Sequence, residues 1–502
     1  MLLVKLIIPK TFKALGEKNQ IFIVQYSPDI NRDYIQRKPI GFKINLPFLY
    51  LIFFTCILHL VSALSGSLLA QDNSPYSRYG IGDLHSNANI LNRGMGGISA
   101  AYADPLSVNF INPASYASFK TFLEERSKKS MSGRVILDVG MNFDSRTLRE
   151  TNNPEKFTSP NAYFSYLQLG IPVRNNLGIS FGLRPISKIG YKIARFERLF
   201  DPITGIPIDS AATEFIGDGG AFLVSSGIGG AIKNFSIGIN AGYLFGKKDY
   251  STKRTLLNDS VAYHRSNHQT KISFGDLFFS GGMQYKFDLN KTTVLRLGAF
   301  GNLKHELNAR RDIIRETFTR TTDGGDFRLD SVTEQLDVKG NITYPANFGG
   351  GFLVERIADE KRGGWLLGID FIQNGWDNYR VYGEKDLVRN NWHLKIGGHV
   401  KPAMKGTSYK NYITYRAGFF FGQDYVYLDR KLPELGASFG LALPILNLKD
   451  AQRRFRTQYT VVNLSMEYIK RGNNENLLRE DLFRLSVGFA LSDLWFQKRK
   501  YE

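Results

Sequence analysis

The chain has 502 residues, a formal net charge of +19 at pH 7, 49 glycines, 13% aromatic residues and one cysteine. That length admits several soluble domains, but a lone cysteine excludes a disulfide framework. The basic residues are scattered and form no basic helix or stacking platform, so nucleic acid is excluded as a partner, and the charge suits anionic lipid headgroups instead.

Ile44 to Leu64 is the one long apolar run. Arg37, Lys38 and Lys43 precede it, and Ser65, Gly66, Ser67, Leu68, Leu69 and Ala70 follow. A basic stretch, an apolar core and a small residue before Gln71 make residues 44–70 a secretory signal peptide. A membrane anchor competes for the same run; Pro47, His59 and the missing basic cluster after it disfavour that reading. Residues 1–43 lie upstream of the basic stretch and are read as an extension ahead of the natural start. Cys56 falls inside the apolar core, so the exported chain has no cysteine to bridge or to lipidate.

Residues 71–132 do not alternate. They read as glycine turns and short helical pieces, with Arg93-Gly94-Met95-Gly96-Gly97 followed by Asn109-Phe110-Ile111-Asn112-Pro113-Ala114-Ser115. A segment of that size needs somewhere to pack, and it is assigned as a hatch, a plug inside the lumen that the rest of the chain encloses.

From residue 133 to 491 the pattern has a period of two. Phe483, Leu485, Val487, Phe489 and Leu491 share one face of a strand, and Arg484, Ser486, Gly488 and Ala490 the other. Leu435 to Leu443, Trp392 to Val400, Phe235 to Phe245 and Ile179 to Leu183 repeat it. Long strands with one apolar face and one polar, glycine-rich face predict a transmembrane antiparallel β-barrel, lipid on one side and water on the other. Fourteen strands are expected, roughly 133–143, 162–172, 177–195, 220–232, 235–247, 272–287, 292–306, 340–355, 364–376, 391–400, 411–421, 433–443, 458–469 and 481–491. Residues 492–502 are left as a basic periplasmic tail. Arg174 to Asn176, Lys233-Asn234 and Asp288 to Lys291 are tight turns, whereas 144–161, 196–219, 248–271 and 307–339 are expected to be long polar loops. Short periplasmic turns and long external loops orient such a barrel in the outer membrane of a Gram-negative cell.

Gly96-Gly97, Ala101, Ala103-Asp104 and Asn112-Pro113-Ala114 together resemble the amino-terminal hatch of the FadL-type outer-membrane transporter family. Tyr344-Pro345-Ala346 with Gly349 to Gly351, then Trp365, Asp370 and Trp376, is similar to that family's proline-glycine strand and the strand after it. The opening Ser74-Pro75-Tyr76-Ser77-Arg78-Tyr79-Gly80 resembles a Bacteroidetes-type branch. The resemblance implies passive uptake of hydrophobic small molecules such as long-chain fatty acids, with a hatch that shifts and cargo that leaves through a gap in the wall. Relatives in Bacteroidetes imply a second role, as a barrel accessory to a secretion system that binds exported proteins through external loops.

The hatch motif is Gly96, Gly97, Asn112, Pro113 and Ala114; Pro113 locks its own backbone and biases Asn112 toward an extended form. The inward faces carry Arg184, Arg296, Glu355, Asp370, Lys395, Arg416, Glu467 and Arg484. Arg184, Arg296 and Arg416 are the candidates to hold a carboxylate headgroup, against the plainer reading that lumen charges pair with one another and with the hatch. His393 with His399, and His264 with His268, lack a third ligand for zinc. No nucleophile accompanies Asn267-His268, so no enzyme is expected, and no cofactor or metal. The expected partners are outer-membrane lipid and lipopolysaccharide, hydrophobic cargo, and secretion-system or exported proteins.

Overall fold

The computed structural model describes residues 74–123, 130–151, 153–257, 263–321, 325–359, 361–403, 408–428, 430–445 and 458–495. The extension, the signal peptide and the end of the tail lie outside the described residues. The first part holds a 3₁₀ turn (Pro75–Arg78), β1 (Asp83–Leu84), α1 (Ile90–Arg93), a second 3₁₀ segment (Pro113–Ser118) and β2 (Thr121–Leu123). The next strands are β3 (Ser130–Glu150), β4 (Lys156–Arg174), β5 (Leu177–Phe200), β6 (Pro207–Ile232), β7 (Phe235–Leu256), β8 (Arg265–Asp288) and β9 (Thr293–Asn302). β10 (His305–Arg320), β11 (Asp326–Tyr344), β12 (Asn347–Arg356), β13 (Gly364–Asn374), β14 (Arg380–Val381) and β15 (Glu384–Lys385) come after them. β16 (Asn391–Lys401), β17 (Thr414–Gln423), β18 (Pro433–Ile445), β19 (Gln458–Arg471) and β20 (Leu478–Trp495) complete the chain.

β3 to β9, β12, β13 and β16 to β20 form an antiparallel ring of fourteen strands, closed by the pairing of β20 with β3. Closure removes the edges that an open sheet would expose. Phe181, Val224, Ile237, Leu277, Phe352, Leu367, Phe439 and Phe483 stay exposed on the outside of the wall, while Ser180, Asn240, Asp370, Ser438, Arg484 and Ser486 of the same strands are buried toward the lumen. Alternation fails to bury the large residues because the face they occupy has no protein opposite it.

Each expected strand has its counterpart, but the outer ends are corrected. Segments 144–161, 196–219, 248–271 and 307–339, expected as polar loops, are largely strand: β3 and β4 take up most of the first, β5 to β8 run on past the apolar belt, and β10 pairs with both β8 and β11. Many of the residues buried there are polar, Thr213, Lys248, Ser251 and Asn267 among them, so burial does not select apolar residues at every second position and the period-two signal vanishes although the backbone ladder continues. β9 and β10 are one wall strand interrupted at Leu303-Lys304, as β12 and β11 are at Pro345-Ala346. The result is a sheet of six strands standing on one side of the barrel mouth. β20 likewise runs to Trp495, four residues into the expected tail.

Among the described residues the wall splits at one place. β4 and β5 pair from Arg174 with Leu177 up to Leu167 with Leu183 and no further. Beyond that, β4 continues on β3 and β5 on β6, and each carries a bulge at the level where they part, at Ser165 and Ile186. A bulge bends its strand and re-aims it.

Candidate functional site: the hatch and the lumen cavity

The chain enters the lumen at the long-strand end and descends. The Ser74 N–H donates to the Gly190 carbonyl at 3.1 Å, and β1 pairs antiparallel with Lys188 and Ser187 of β5. Asn89 caps α1, its side chain accepting the Asn92 N–H at 2.9 Å. Gly96 and Gly97 turn the chain with φ of 67° and 82°, backbone that only glycine adopts cheaply. β2 then pairs with the start of β3 at the short-turn end.

Wall glycines form the sockets for this path. A methyl group at Gly298 would lie 1.9 Å from the Ala100 carbonyl oxygen, one at Gly397 2.0 Å from that of Met95, and one at Gly418 2.1 Å from the Gly96 nitrogen. Polar wall residues satisfy the hatch backbone between them. Asp370 accepts the Ser99 and Ala100 N–H groups, the latter at 2.8 Å. Ser438 accepts the Gly96 N–H at 2.8 Å, and Gln284 donates to the Ala100 and Tyr102 carbonyls at 3.0 and 3.2 Å.

Asn112, in extended backbone ahead of Pro113, donates to the Ala100 carbonyl at 2.6 Å and accepts the Ala114 N–H at 3.1 Å. It also reaches the Met283 and Ala299 carbonyls, each at 3.2 Å. Buried amide groups left without partners are costly, so one side chain here ties two hatch segments to two wall strands. At the hatch centre Arg93, 1% exposed, donates through Nε to Glu467 at 2.9 Å and through Nη1 to Asn142 at 2.8 Å.

Above the hatch core lies a cavity of about 260 Å³ with two unlike sides. On one, most charges are paired: Arg471 meets Asp424 at 2.7 Å and Glu480 at 3.2 Å, Arg146 meets Asp83 and Glu480, and His393 meets Glu434 at 2.9 Å, with Lys395 beside them. Near it Arg484 holds Asp144 bidentately at 2.8 Å. The other side is Ile186, Leu223, Leu244, Phe278, Phe300 and Tyr344, with Arg184 among them. Arg184 lies 4.6 Å over the Phe110 ring, and its Nε and Nη1 are buried without hydrogen-bond partners.

The three candidate arginines therefore separate. Arg296 donates to the Ala101 carbonyl of the hatch at 3.3 Å, Arg416 donates to Asn463 at 3.1 Å, and neither lines the cavity; Arg184 does. His399 is buried apart from His393, and His268 meets Arg315 at 2.9 Å. Sequence reasoning missed Arg93, Asp83 and Arg146, whose partners stand far away along the chain and leave no local signal.

Asp83, Leu84 and His85 close the cavity where the wall splits: β1 bonds to β5, and the His85 ring meets Tyr163 of β4 edge-on at 4.6 Å. Burial, with the nearby Arg484 charge, pushes His85 down to about 3. Burial would raise Asp83, but Arg146 and Arg471 override it and hold its carboxyl well below the usual range. Both groups bind protons more weakly when seated than when released, so both favour seating at high pH and lose that contribution as pH falls. His85 loses it below about pH 6.5 and Asp83 below about pH 4. Trypsin cleavage within residues 74–93 is expected to be slow at pH 7.5 and to quicken as pretreatment moves from pH 6.5 to 4; His85→Leu should flatten the part above pH 5. A rate independent of pH in the unsubstituted chain would contradict this.

Several solved structures resemble the chain in shape. A Pseudomonas aeruginosa FadL homologue gives a TM-score of 0.46 at 13% identity over 84% of this chain and 100% of its own. The P. putida toluene transporter TodX gives 0.46 at 13% over 82% and 100%, and the Ralstonia pickettii toluene transporter TbuX 0.45 at 12% over 81% and 98%. No curated protein matches. The family whose model matches is not the FadL family of the motif resemblance: the model described as BamG covers residues 52–502, and the chain belongs to the BamG family.

Proposed function

We propose that this barrel sits in the outer membrane and carries hydrophobic small molecules passively, long-chain fatty acids among them. The observation that carries the reading is Arg184, a half-buried cation whose Nε and Nη1 are buried without hydrogen-bond partners, set in the apolar side of the lumen cavity. An acyl chain on Ile186, Leu223, Leu244 and Phe278 gains about 0.8 kcal/mol per buried CH₂, and its carboxylate supplies the acceptor that Arg184 lacks. The hatch blocks the direct path. The split between β4 and β5, closed at cavity level by Asp83 to His85, offers a sideways exit into the membrane once that segment moves.

Affinity of the purified protein for fatty acids is expected to rise with chain length. Arg184→Gln should weaken binding of the carboxylate roughly tenfold, the worth of about one charge-assisted hydrogen bond, and leave the alcohol of equal chain length unchanged. Flat affinity across chain lengths, or equal losses for acid and alcohol, would remove the reading.

A second reading, a barrel accessory to a secretion system that binds exported proteins, is favoured by the six-stranded sheet raised beyond the apolar belt, which uptake of a small molecule does not require. Co-purification of an exported protein, lost when residues 307–339 are shortened, tests it.

A further inference from the structure

Above Leu167 and Leu183, β4 stays bonded to β3 and β5 to β6, so each turns a strand edge toward the other across the split. Such an edge is a row of backbone donors and acceptors that accepts another strand. The chain fills the lower part of the split itself. Asp83 and Leu84 pair with Lys188 and Ser187, the His85 N–H donates to the Ile186 carbonyl at 2.9 Å, and Gly190 accepts from the Ser74 N–H and donates to the Ser77 hydroxyl at 3.2 Å. Both backbone groups of one residue point to the same side of an antiparallel strand, and those of the next residue to the other. Gly190 therefore sets the parity, and Ala194, Phe196 and Arg198 also present their N–H and C=O groups to the split. Among the described residues, no backbone bond from these three crosses it.

We propose that the split above β1 is a docking slot for an extended segment of another polypeptide, which adds to the edge of β5 in continuation of β1. The interface already exists for two residues and the same edge runs on above it; a guest strand lengthens it by β-augmentation. The rim states the chemistry of the guest. Lys156, Lys192, Arg195 and Arg198 outnumber Glu155, Glu197 and Glu214, although Lys192 meets Glu214 at 3.4 Å and Arg195 meets Glu197 at 3.6 Å, and Phe157, Ile193 and Phe196 are exposed between them. A segment that alternates acidic and apolar residues matches both. This goes beyond the uptake reading and gives the second reading a specific partner chemistry; it stands or falls on backbone pairing, whereas that reading stands on co-purification, which contacts elsewhere on the raised sheet can support.

Hydrogen exchange on the full chain in detergent tests the slot, with a synthetic Glu-Val alternating peptide of about ten residues, enough to span the free edge, and its Lys-Val counterpart. The acidic peptide is expected to slow exchange of the Ala194, Phe196 and Arg198 amides at least tenfold, and the basic one to leave them unchanged. Ala194→Pro removes a donor that faces the split and leaves the bonds to β6 in place, so it should abolish the protection. Arg198→Glu should weaken the acidic peptide tenfold and keep every strand. Fatty-acid binding by both variants shows that the barrel is folded, and its absence in all forms counts against the uptake reading alone. Failure of the acidic peptide to protect these amides, equal protection by the basic one, or undiminished protection in Ala194→Pro would overturn the slot.

Discussion

Replacing Gly397 by valine is expected to unseat the hatch and turn the closed barrel into an ion-conducting pore. Even a methyl group there would stand 2.0 Å from the Met95 carbonyl oxygen, and what it meets is backbone, which cannot rotate aside. Overpacking a filled interior costs about 1–3 kcal/mol where side chains adjust and more where they cannot. The wall keeps its ladder, since Gly397 pairs with Gly368 and Gly418 and valine suits a strand. The strain therefore falls on the hatch. In planar bilayers the variant should conduct at least tenfold more often than the unsubstituted protein and approach a chain that lacks residues 74–120. Gly281→Ala is the control: the nearest atom to a methyl group there is 3.7 Å away. A silent Gly397→Val, with folding shown by its heat-dependent gel mobility, would mean that the segment is no plug.

Truncating Arg93 to alanine is expected to release the hatch by a different route. The guanidinium is buried, and its removal leaves the Glu467 carboxylate, 4% exposed, without a cation. Breaking a buried pair from one side costs about 3–5 kcal/mol, most of it the uncompensated charge. Glu467→Ala should cost about as much, because the arginine is then the unpaired ion. The double variant Arg93→Met with Glu467→Leu should recover most of the loss, since no charge remains to be desolvated. Rates of trypsin cleavage after Arg78, a site all of them keep, rank the four proteins. If the double variant were as labile as the worse single one, the pair would matter for shape and not for charge, and desolvation would not be the cause.

Gly397 with Met95, and Arg93 with Glu467, are contacts between residues far apart in the chain, and such contacts mark the limit of what was legible beforehand. The fourteen wall strands were legible because each meets lipid on one face and the lumen on the other, a condition imposed residue by residue and written as period two. The segment that threads the lumen was legible as the stretch without that period. β10, β11 and the raised ends of β5 to β8 were not, because many of the residues buried there, Thr213, Ser251 and Asn267 among them, are polar and leave no apolar alternation to read. Nor was the split between β4 and β5. It arises from one extra residue in each strand, Ser165 and Ile186, and a bulge is a fact of pairing.

Local sequence marked Arg184, Arg296 and Arg416 alike as inward cations. Only ring closure and the descent of the hatch decided that Arg296 meets the Ala101 carbonyl, that Arg416 meets Asn463, and that Arg184 faces a cavity beside apolar side chains. Alternation specifies which face a residue occupies. What stands opposite that face depends on strand register around the whole barrel, and Arg93 finds Glu467 across 374 positions for that reason alone.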